Sequence, residues 1–295
     1  MAKASKKKVK KKTSHFYGFN IKLFSDTRSE DAYLDLIRTV FNVPSLVKIS
    51  KEKAMALRSQ NVVEYTFNGK KHKVAYGKLI RFTVLSDDDW YDSTTKELKR
   101  FDLPGNTHPN SQEVDYIFIP ATHRFYFTAS SKISITATEA FLHKAISTKG
   151  IQNGEDYGIY LIQSQDTITQ IINSPVLKSL KVKVSYTNDD IGDEAFELID
   201  QFLKDAQVGE TESTFRPDQH GTLNTESSLI RGYLEVAREN GAAEASVINE
   251  AGRREKIVTT NYPDKRKVEY TESDNLPRNL FDDVMTEYRN EQPNS

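Results

Sequence analysis

The stretch from Val62 to Val84, V-V-E-Y-T-F-N-G-K-K-H-K-V-A-Y-G-K-L-I-R-F-T-V, carries the clearest structural signal in the chain. Two runs rich in β-branched and aromatic residues flank Asn68-Gly69, and Asn-Gly is the strongest short signal for a two-residue hairpin turn. The pattern predicts two antiparallel strands, Val62–Phe67 and Val74–Val84, joined by that turn.

Further strands and helices are predicted on both sides of this hairpin. Two more hairpins are expected from Val114–Ile119 with Arg124–Thr128, and from Ala243–Asn249 with Glu255–Thr260. Apolar residues at helical spacing predict helices after Ser29 and over residues 138–147, 167–173, 193–205, 225–240 and 277–288. Hairpins recur and regular βαβ units do not, so we expect an α+β fold whose antiparallel sheets carry helices on one face.

The length of 295 residues favours two domains. Three glycines and few apolar residues between Gly150 and Gly158 indicate the boundary. We therefore predict a disordered basic tail over residues 1–14, an N-terminal α+β domain over 15–150 and a C-terminal α+β domain over 151–295. Two polar stretches, Asp87–Asn110 and Gly209–Thr222, are predicted to be loops.

Composition excludes several classes of protein. The chain has no cysteine, which removes disulfides, thiolate chemistry and Cys-ligated zinc. It has no apolar run of 18 residues and no apolar segment near its start that could serve as a signal peptide. We therefore expect a soluble, cytoplasmic protein that does not insert into a membrane.

Positive charge is concentrated at the start of the sequence. Residues 1–12 hold seven lysines and no acid, and the other 283 residues carry 34 basic and 42 acidic side chains, a net charge of about −8. Each lysine placed near a nucleic-acid phosphate releases a counterion, so the tail is a candidate nucleic-acid arm or else a solubilising leader. The candidate contacts in this tail are Lys6, Lys7, Lys8, Lys10, Lys11 and Lys12.

Two further basic groups are predicted at loop tips. Arg253 and Arg254 lie in the turn of the third hairpin, and Lys265, Arg266 and Lys267 follow a Pro-Asp pair. Side chains at loop tips can reach backbone phosphates, so these five residues are candidate nucleic-acid contacts. The alternative is a solvated surface that neighbouring acids partly neutralise.

A possible functional pocket combines Asp89, Trp90 and Asp92 with His123 and Arg124. The acidic run could bind Mg²⁺, His could titrate near neutral pH, and Arg could hold a phosphate. The alternatives are a solvated turn and a hairpin corner. Motifs for serine hydrolases, P-loops, dinucleotide binding and H-E-x-x-H zinc sites are absent. We accordingly predict no catalytic residue, no metal and no cofactor.

Several short segments resemble a bacterial family of unknown function found among phage-defence genes. They are F-Y-G-F-N-I (16–21), Y-G-K-L-I-R-F (76–82), D-D-D-W-Y-D (87–92), D-Y-I-F-I-P-A-T-H-R-F (115–125), G-A-A-E-A-S-V-I-N-E-A-G-R-R (241–254) and V-T-T-N-Y-P (258–263). The C-terminal half more distantly resembles the RexA family of lambda exclusion proteins.

The resemblance implies an abortive-infection or exclusion component that works in the cytoplasm. The RexA likeness further implies a homodimer that binds double-stranded DNA through a positive surface without a catalytic centre. Two features depart from it, because the body of this chain is acidic and nothing in the sequence indicates a membrane partner. The alternatives are a metal-dependent nuclease that uses Asp87–Asp92 with His123, and a sensor or regulator that binds a protein encoded in the same defence operon.

Overall fold

The computed structural model shows an α+β fold, as predicted. It describes residues 11–24, 29–43, 45–88, 90–152, 154, 156–186, 194–219, 221–271 and 275–290. The strands are β1 (Lys12–Leu23), β2 (Val47–Lys48), β3 (Lys53–Phe67), β4 (Lys70–Thr83), β5 (Trp90–Tyr91), β6 (Leu98–Lys99), β7 (Gln112–Ile119), β8 (Arg124–Thr128), β9 (Tyr157–Leu161), β10 (Val176–Val184), β11 (Thr211–Phe215), β12 (Gly241–Ile248), β13 (Arg254–Val258) and β14 (Arg266–Tyr270). The helices are α1 (Glu30–Phe41), α2 (Ile135–Ser147), α3 (Gln165–Ile172), α4 (Glu194–Asp205), α5 (Ser228–Asn240) and α6 (Leu276–Asn290).

The hairpin at Asn68-Gly69 is confirmed. Both turn residues have positive φ, 48° at Asn68 and 79° at Gly69, as a type I′ turn requires. The strands are longer than predicted because β3 and β4 pair with each other from Lys53 opposite Thr83 to Phe67 opposite Lys70, and β4 also pairs with β7 over residues 75–81. A register shift between Leu57 and Ser59 brings the Ser59 carbonyl against Gly77, where a Cβ would lie 1.9 Å from its oxygen. Only glycine fits at that bulge.

β1 organises the large sheet, whose strand order is β14-β1-β8-β7-β4-β3-β2. Residues 16–20 of β1 pair with β8. On its other side, residues 12–16 pair with β14 and residues 19–23 pair with β9. The described part of the predicted tail therefore enters the sheet at Lys12, because β14 supplies its hydrogen-bond partners.

Helices cover both faces of the large sheet, which differs from the prediction of one face. Phe125 and Phe127 of β8 pack with α1 and α2 in one core, whereas Tyr126 packs with α6 in another. Because side chains alternate along a strand, these two cores lie on opposite faces. The apolar residues Leu280, Phe281 and Val284 make α6 a cover for the second face.

The small sheet has the order β11-β10-β12-β13 and packs one face against helices that include α5. β11 lies in the stretch predicted to be a polar loop, and the β5–β6 pair lies in the other such stretch. Both predictions were wrong there because these short edge strands lack an apolar alternation. Since β9, β14 and α6 pack on the large sheet, the ranges 15–150 and 151–295 do not map one-to-one onto the sheets. The division into domains stays a prediction.

A buried polar contact joins the large sheet to α5. One guanidinium nitrogen of Arg124, Nη2, lies 2.9 and 2.8 Å from the two carboxylate oxygens of Glu239. Arg238 Nη2 lies 2.8 Å from Glu239 Oε1, and Asn20 donates to Asn240 at 3.0 Å. We call these five residues the polar seam. Burial by itself would raise the pKa of Glu239, but the two guanidinium groups outweigh it and hold that pKa below the ordinary value.

Within the described ranges, no helix combines the length and the apolar character needed to cross a lipid bilayer.

We predict that Glu239→Gln destabilises the protein by about 3–5 kcal/mol, because it removes the buried carboxylate that compensates the buried guanidinium of Arg124. Urea unfolding measures the loss. The matched control is Glu226→Gln, whose exposed pair with Arg231 is worth about 1 kcal/mol or less. Equal losses in the two variants would contradict a special role for the seam.

The same contact predicts a pH dependence. Because the folded-state pKa of Glu239 lies below its ordinary value of 4.5, the stability it contributes is fully present above pH 4.5 and is lost as the pH falls below it. Acid unfolding of the wild type and Glu239→Gln should therefore show a stability difference that shrinks as the pH is lowered from 5 towards about 2.

Candidate nucleic-acid interface

The register of the large sheet brings cations from distant segments to one end of one face. Lys267 pairs with His15 across β14 and β1, Arg81 pairs with Gln112 across β4 and β7, and Lys53 pairs with Thr83 across β3 and β4. Lys53 and Arg81 lie two residues from Met55 and Leu79, which face α1 and α2. Lys267 is adjacent to Val268 of the opposite core, so alternation places it on the same face as the other two. With strands about 4.8 Å apart, the five steps from β14 to β3 span about 24 Å.

We call this set the basic row and define it as Lys11, Lys53, Arg81, Lys132 and Lys267. Lys132 lies in the loop before α2 and joins the row through its backbone carbonyl, which accepts a hydrogen bond from Arg81 Nη1. Lys53 Nζ donates to Thr83 Oγ1 at 2.6 Å. These contacts hold the cations in place without neutralising them.

A cavity of about 330 Å³ lies at the β3 end of the row. Its lining residues, Lys53, Arg81, Asn110, Gln112, Ser131 and Lys132, supply cations, amides and a hydroxyl but no carboxylate. In the part of the chain that the structure describes, no acid forms an ion pair with its three cations. Hydrogen-bond donors of this kind match the oxygens of a phosphate group.

The opposite end of the row lies where the N-terminal lysines enter the fold. Lys11 and Lys267 both contact Glu269, at 3.5 and 2.8 Å, and all three side chains are exposed. The hydrogen bond from Lys267 and the nearby Lys11 charge lower the pKa of Glu269, so it stays ionised and leaves one net positive charge. Lys12 is the first residue of β1. Lys6, Lys7, Lys8 and Lys10 lie outside the described residues.

Arg266 does not belong to this surface, although it was a predicted contact. Its guanidinium pairs with Asp283 at 2.8 Å and with Glu287, and it lies 5.7 Å from the centre of the Tyr126 ring. The side chain is only 13% exposed and holds α6 against β14. The K-R-K triplet misled the prediction because a strand begins at Arg266, which points Arg266 and Lys267 to opposite faces. Lys265 is exposed.

Arg253 and Arg254 are exposed at the β12–β13 turn, as predicted. Arg254 Nε donates to Ser246 Oγ at 3.0 Å, so this guanidinium lies against the small sheet. The two arginines therefore form a basic group separate from the basic row.

The acidic half of the predicted pocket is a self-contained loop. Asp92 accepts hydrogen bonds from the amides of Thr94 and Thr95 and pairs with Lys99. The hydrogen bond from Lys99, followed by those two amides, lowers the pKa of Asp92. Trp90 packs edge-on against Phe101. Asp89 lies outside the described residues.

The His-Arg half lies at the other end of β7 and β8. His123 has a φ of 57° and stacks on Tyr33 with ring centres 4.1 Å apart, while Arg124 belongs to the polar seam. The Asp92 loop leaves β4 at Thr83, beside the start of β7, and the eight residues of β7 span about 25 Å. The structure therefore does not bring Asp92 and His123 together.

A comparison of the sequence with known protein families covers nearly all of the residues described above. A family model described as "Domain of unknown function (DUF4747)" matches residues 12–286. The chain belongs to this family. A comparison with curated proteins gives no significant match. The expected membership of an uncharacterised family is confirmed for this DUF4747 protein, and its link to phage defence and to RexA stays a prediction.

No group of three or more metal-ligating side chains is found among the residues that the structure describes.

We predict that inorganic phosphate binds in the cavity of the basic row. At ten times its Kd it should stabilise the protein by about 1.4 kcal/mol, which corresponds to a rise in Tm of about 2–3 °C. The double variant Arg81→Gln/Lys132→Gln should lose most of this rise in differential scanning fluorimetry. Arg58→Gln, whose charge already pairs with Glu113, should keep it. The same rise in all three proteins would argue against the cavity.

Proposed function

We propose that this DUF4747 protein binds double-stranded DNA through the phosphate backbone, without sequence selectivity, as a non-catalytic component of anti-phage defence in the cytoplasm. The observation that supports DNA binding is the basic row, in which a carboxylate-free cavity and two exposed lysines lie on one sheet face. The defence role rests on the resemblance of the short sequence segments described above.

The dimensions of the row suit a duplex backbone. A length of about 24 Å corresponds to about seven base pairs at 3.4 Å per pair. Lysine and arginine contacts to phosphate fix the position of a protein on DNA but read no bases. A row that ends in a phosphate-sized cavity therefore favours binding that is insensitive to sequence.

The charge distribution supports a strong salt dependence. The body of the chain is acidic overall, so attraction to DNA must come from the local row and from the N-terminal lysines. Lys11 contacts Glu269 beside Lys267, and the lysines that precede it in the sequence would add phosphate contacts to those of the row. Each phosphate contact adds about 0.9 to the negative slope of log K against log salt concentration.

The proposal also includes a homodimer and a protein partner encoded in the same operon. A homodimer, which the RexA likeness implies, would present two basic rows to one duplex. A protein encoded in the same operon would then couple DNA binding to the defence response. Light scattering with and without duplex measures whether two copies bind together.

The decisive experiment is a salt titration of binding to random-sequence duplex DNA. Four proteins are compared: the full chain, a chain that starts at residue 11, Arg81→Gln/Lys132→Gln and Arg253→Gln/Arg254→Gln. We expect the double variant in the row to reduce the slope by about 1.8 and to weaken binding equally for all sequences. The variant in the β12–β13 turn, which lies outside the row, should retain the full slope.

Three outcomes would overturn the proposal. The first is an absence of duplex binding at low salt, which would favour a protein-binding sensor. The second is binding that depends on residues 1–10 but not on Arg81 and Lys132, which would reduce the function to a basic tail. The third is Mg²⁺-dependent cleavage of the duplex that Asp92→Ala abolishes, which would favour the nuclease.

A further inference from the structure

A second and larger cavity separates α2 and β9 from the small sheet. Its volume is about 810 Å³, and it lies between residues of α2, the strand β9, the facing ends of β10 and β12, and the turn at Thr260 and Asn261. Its ionisable lining residues are Glu139, His143, Tyr160, Lys183 and Glu210. None of them belongs to the basic row or to the polar seam.

The carboxylate of Glu139 lacks a compensating charge. It lies on α2 one turn before His143, and residues four apart project from the same side of a helix. Among the described residues, no cation or hydrogen-bond donor contacts this half-buried side chain. Desolvation by burial raises its pKa, and no neighbouring charge contributes to the shift. An acceptor of this kind gains from any cation that reaches it.

His143 adds a second polar group to this lining. Its ring nitrogen Nδ1 lies 3.4 Å from the hydroxyl of Tyr157, which donates to the backbone carbonyl of His143 at 3.1 Å and also lies 3.0 Å from Ser147 Oγ. A neutral imidazole offers one acceptor nitrogen, Nδ1 or Nε2 according to its tautomer. Burial lowers the pKa of His143 and so favours this neutral form.

The other ionisable groups of the cavity are satisfied or neutral. Lys183 Nζ lies 2.9 Å from a carboxylate oxygen of Glu210, so these two charges compensate each other. Burial raises the pKa of Tyr160 to about 12, which keeps it a neutral phenol. Among the ionisable residues of this lining, Glu139 therefore carries the uncompensated charge.

We propose that this cavity binds a small organic cation, with its primary ammonium or guanidinium group against the Glu139 carboxylate. A charged donor would supply the hydrogen bond and the counter-charge that Glu139 lacks. The remaining volume would hold an aliphatic or ring body, because cavities of 300–1,000 Å³ are typical for small-molecule ligands. The bound ligand would bridge α2 and the small sheet.

Calorimetric titration of the nucleic-acid-free full chain tests this site. The probes are 1,6-diaminohexane and agmatine, and 1,6-hexanediol is the neutral counterpart of the diamine. We expect both cations to bind and the diol not to bind. Glu139→Gln should weaken both cations at least tenfold, whereas the matched control Glu64→Gln, at an exposed carboxylate that pairs with Lys71, should leave binding unchanged.

Two further measurements separate cation binding in the cavity from the charge change at Glu139 and from DNA binding. Ala242→Leu places bulk in the cavity without altering a charge, so it should also block both cations. Glu139→Gln should leave the salt slope of duplex binding unchanged, because Glu139 lies outside the basic row. The proposal is overturned if neither cation binds, if the diol binds as well as the diamine, or if Glu139→Gln binds like the wild type.

Discussion

The carboxylate of Glu239, shared by the guanidiniums of Arg124 and Arg238, is the contact on which the arrangement of the two sheets depends. The buried charges of Arg124 and Glu239 are tolerated at this depth only while they compensate each other, and the partly exposed Arg238 adds a second positive charge beside them. Arg124 belongs to the large sheet and Glu239 to the last turn of α5, which continues directly into β12 at Gly241. At Gly241 a Cβ would lie 2.0 Å from the Lys183 carbonyl oxygen, so glycine allows the close approach to β10. The ion pair and this glycine together position the small sheet, whose residues Lys183, Gly241 and Ala242 line one side of the larger cavity.

Local signals in the sequence predicted most of the secondary structure. Asn68-Gly69 marked the longest hairpin, and Ser29 marked the start of α1, where its hydroxyl accepts from the Ala32 amide at 3.3 Å. Signals that depend on distant partners were missed. The edge strand β11 has no apolar alternation of its own and exists because β10 offers it a ladder of hydrogen bonds. The pairing of β9 and β14 with β1 was likewise invisible, since no local pattern in one strand specifies its neighbour across the chain.

The candidate sites also depend on contacts between distant segments, which the sequence alone did not predict. Composition directed attention to the consecutive basic residues around Arg266, yet strand alternation buries that residue and exposes Lys267. The cations of the cavity, Lys53, Arg81 and Lys132, stand apart in the sequence and form no motif until the sheet register aligns them. The four-residue spacing of Glu139 and His143 predicts that both side chains project from one side of a helix. The sequence does not show that Glu139 is half-buried and lacks a compensating charge, because the fold determines both properties.

The position of β14 has a consequence for how the protein is made. β14 completes the edge of β1, and Ser14 and Tyr270 contact each other across a sequence separation of 256 residues. During synthesis, that edge of β1 stays open until β14 has left the ribosome, and such long-range pairing is slow to form. Until then the nascent chain carries an unpaired strand edge, a state that exposes it to aggregation and makes it a substrate for chaperones.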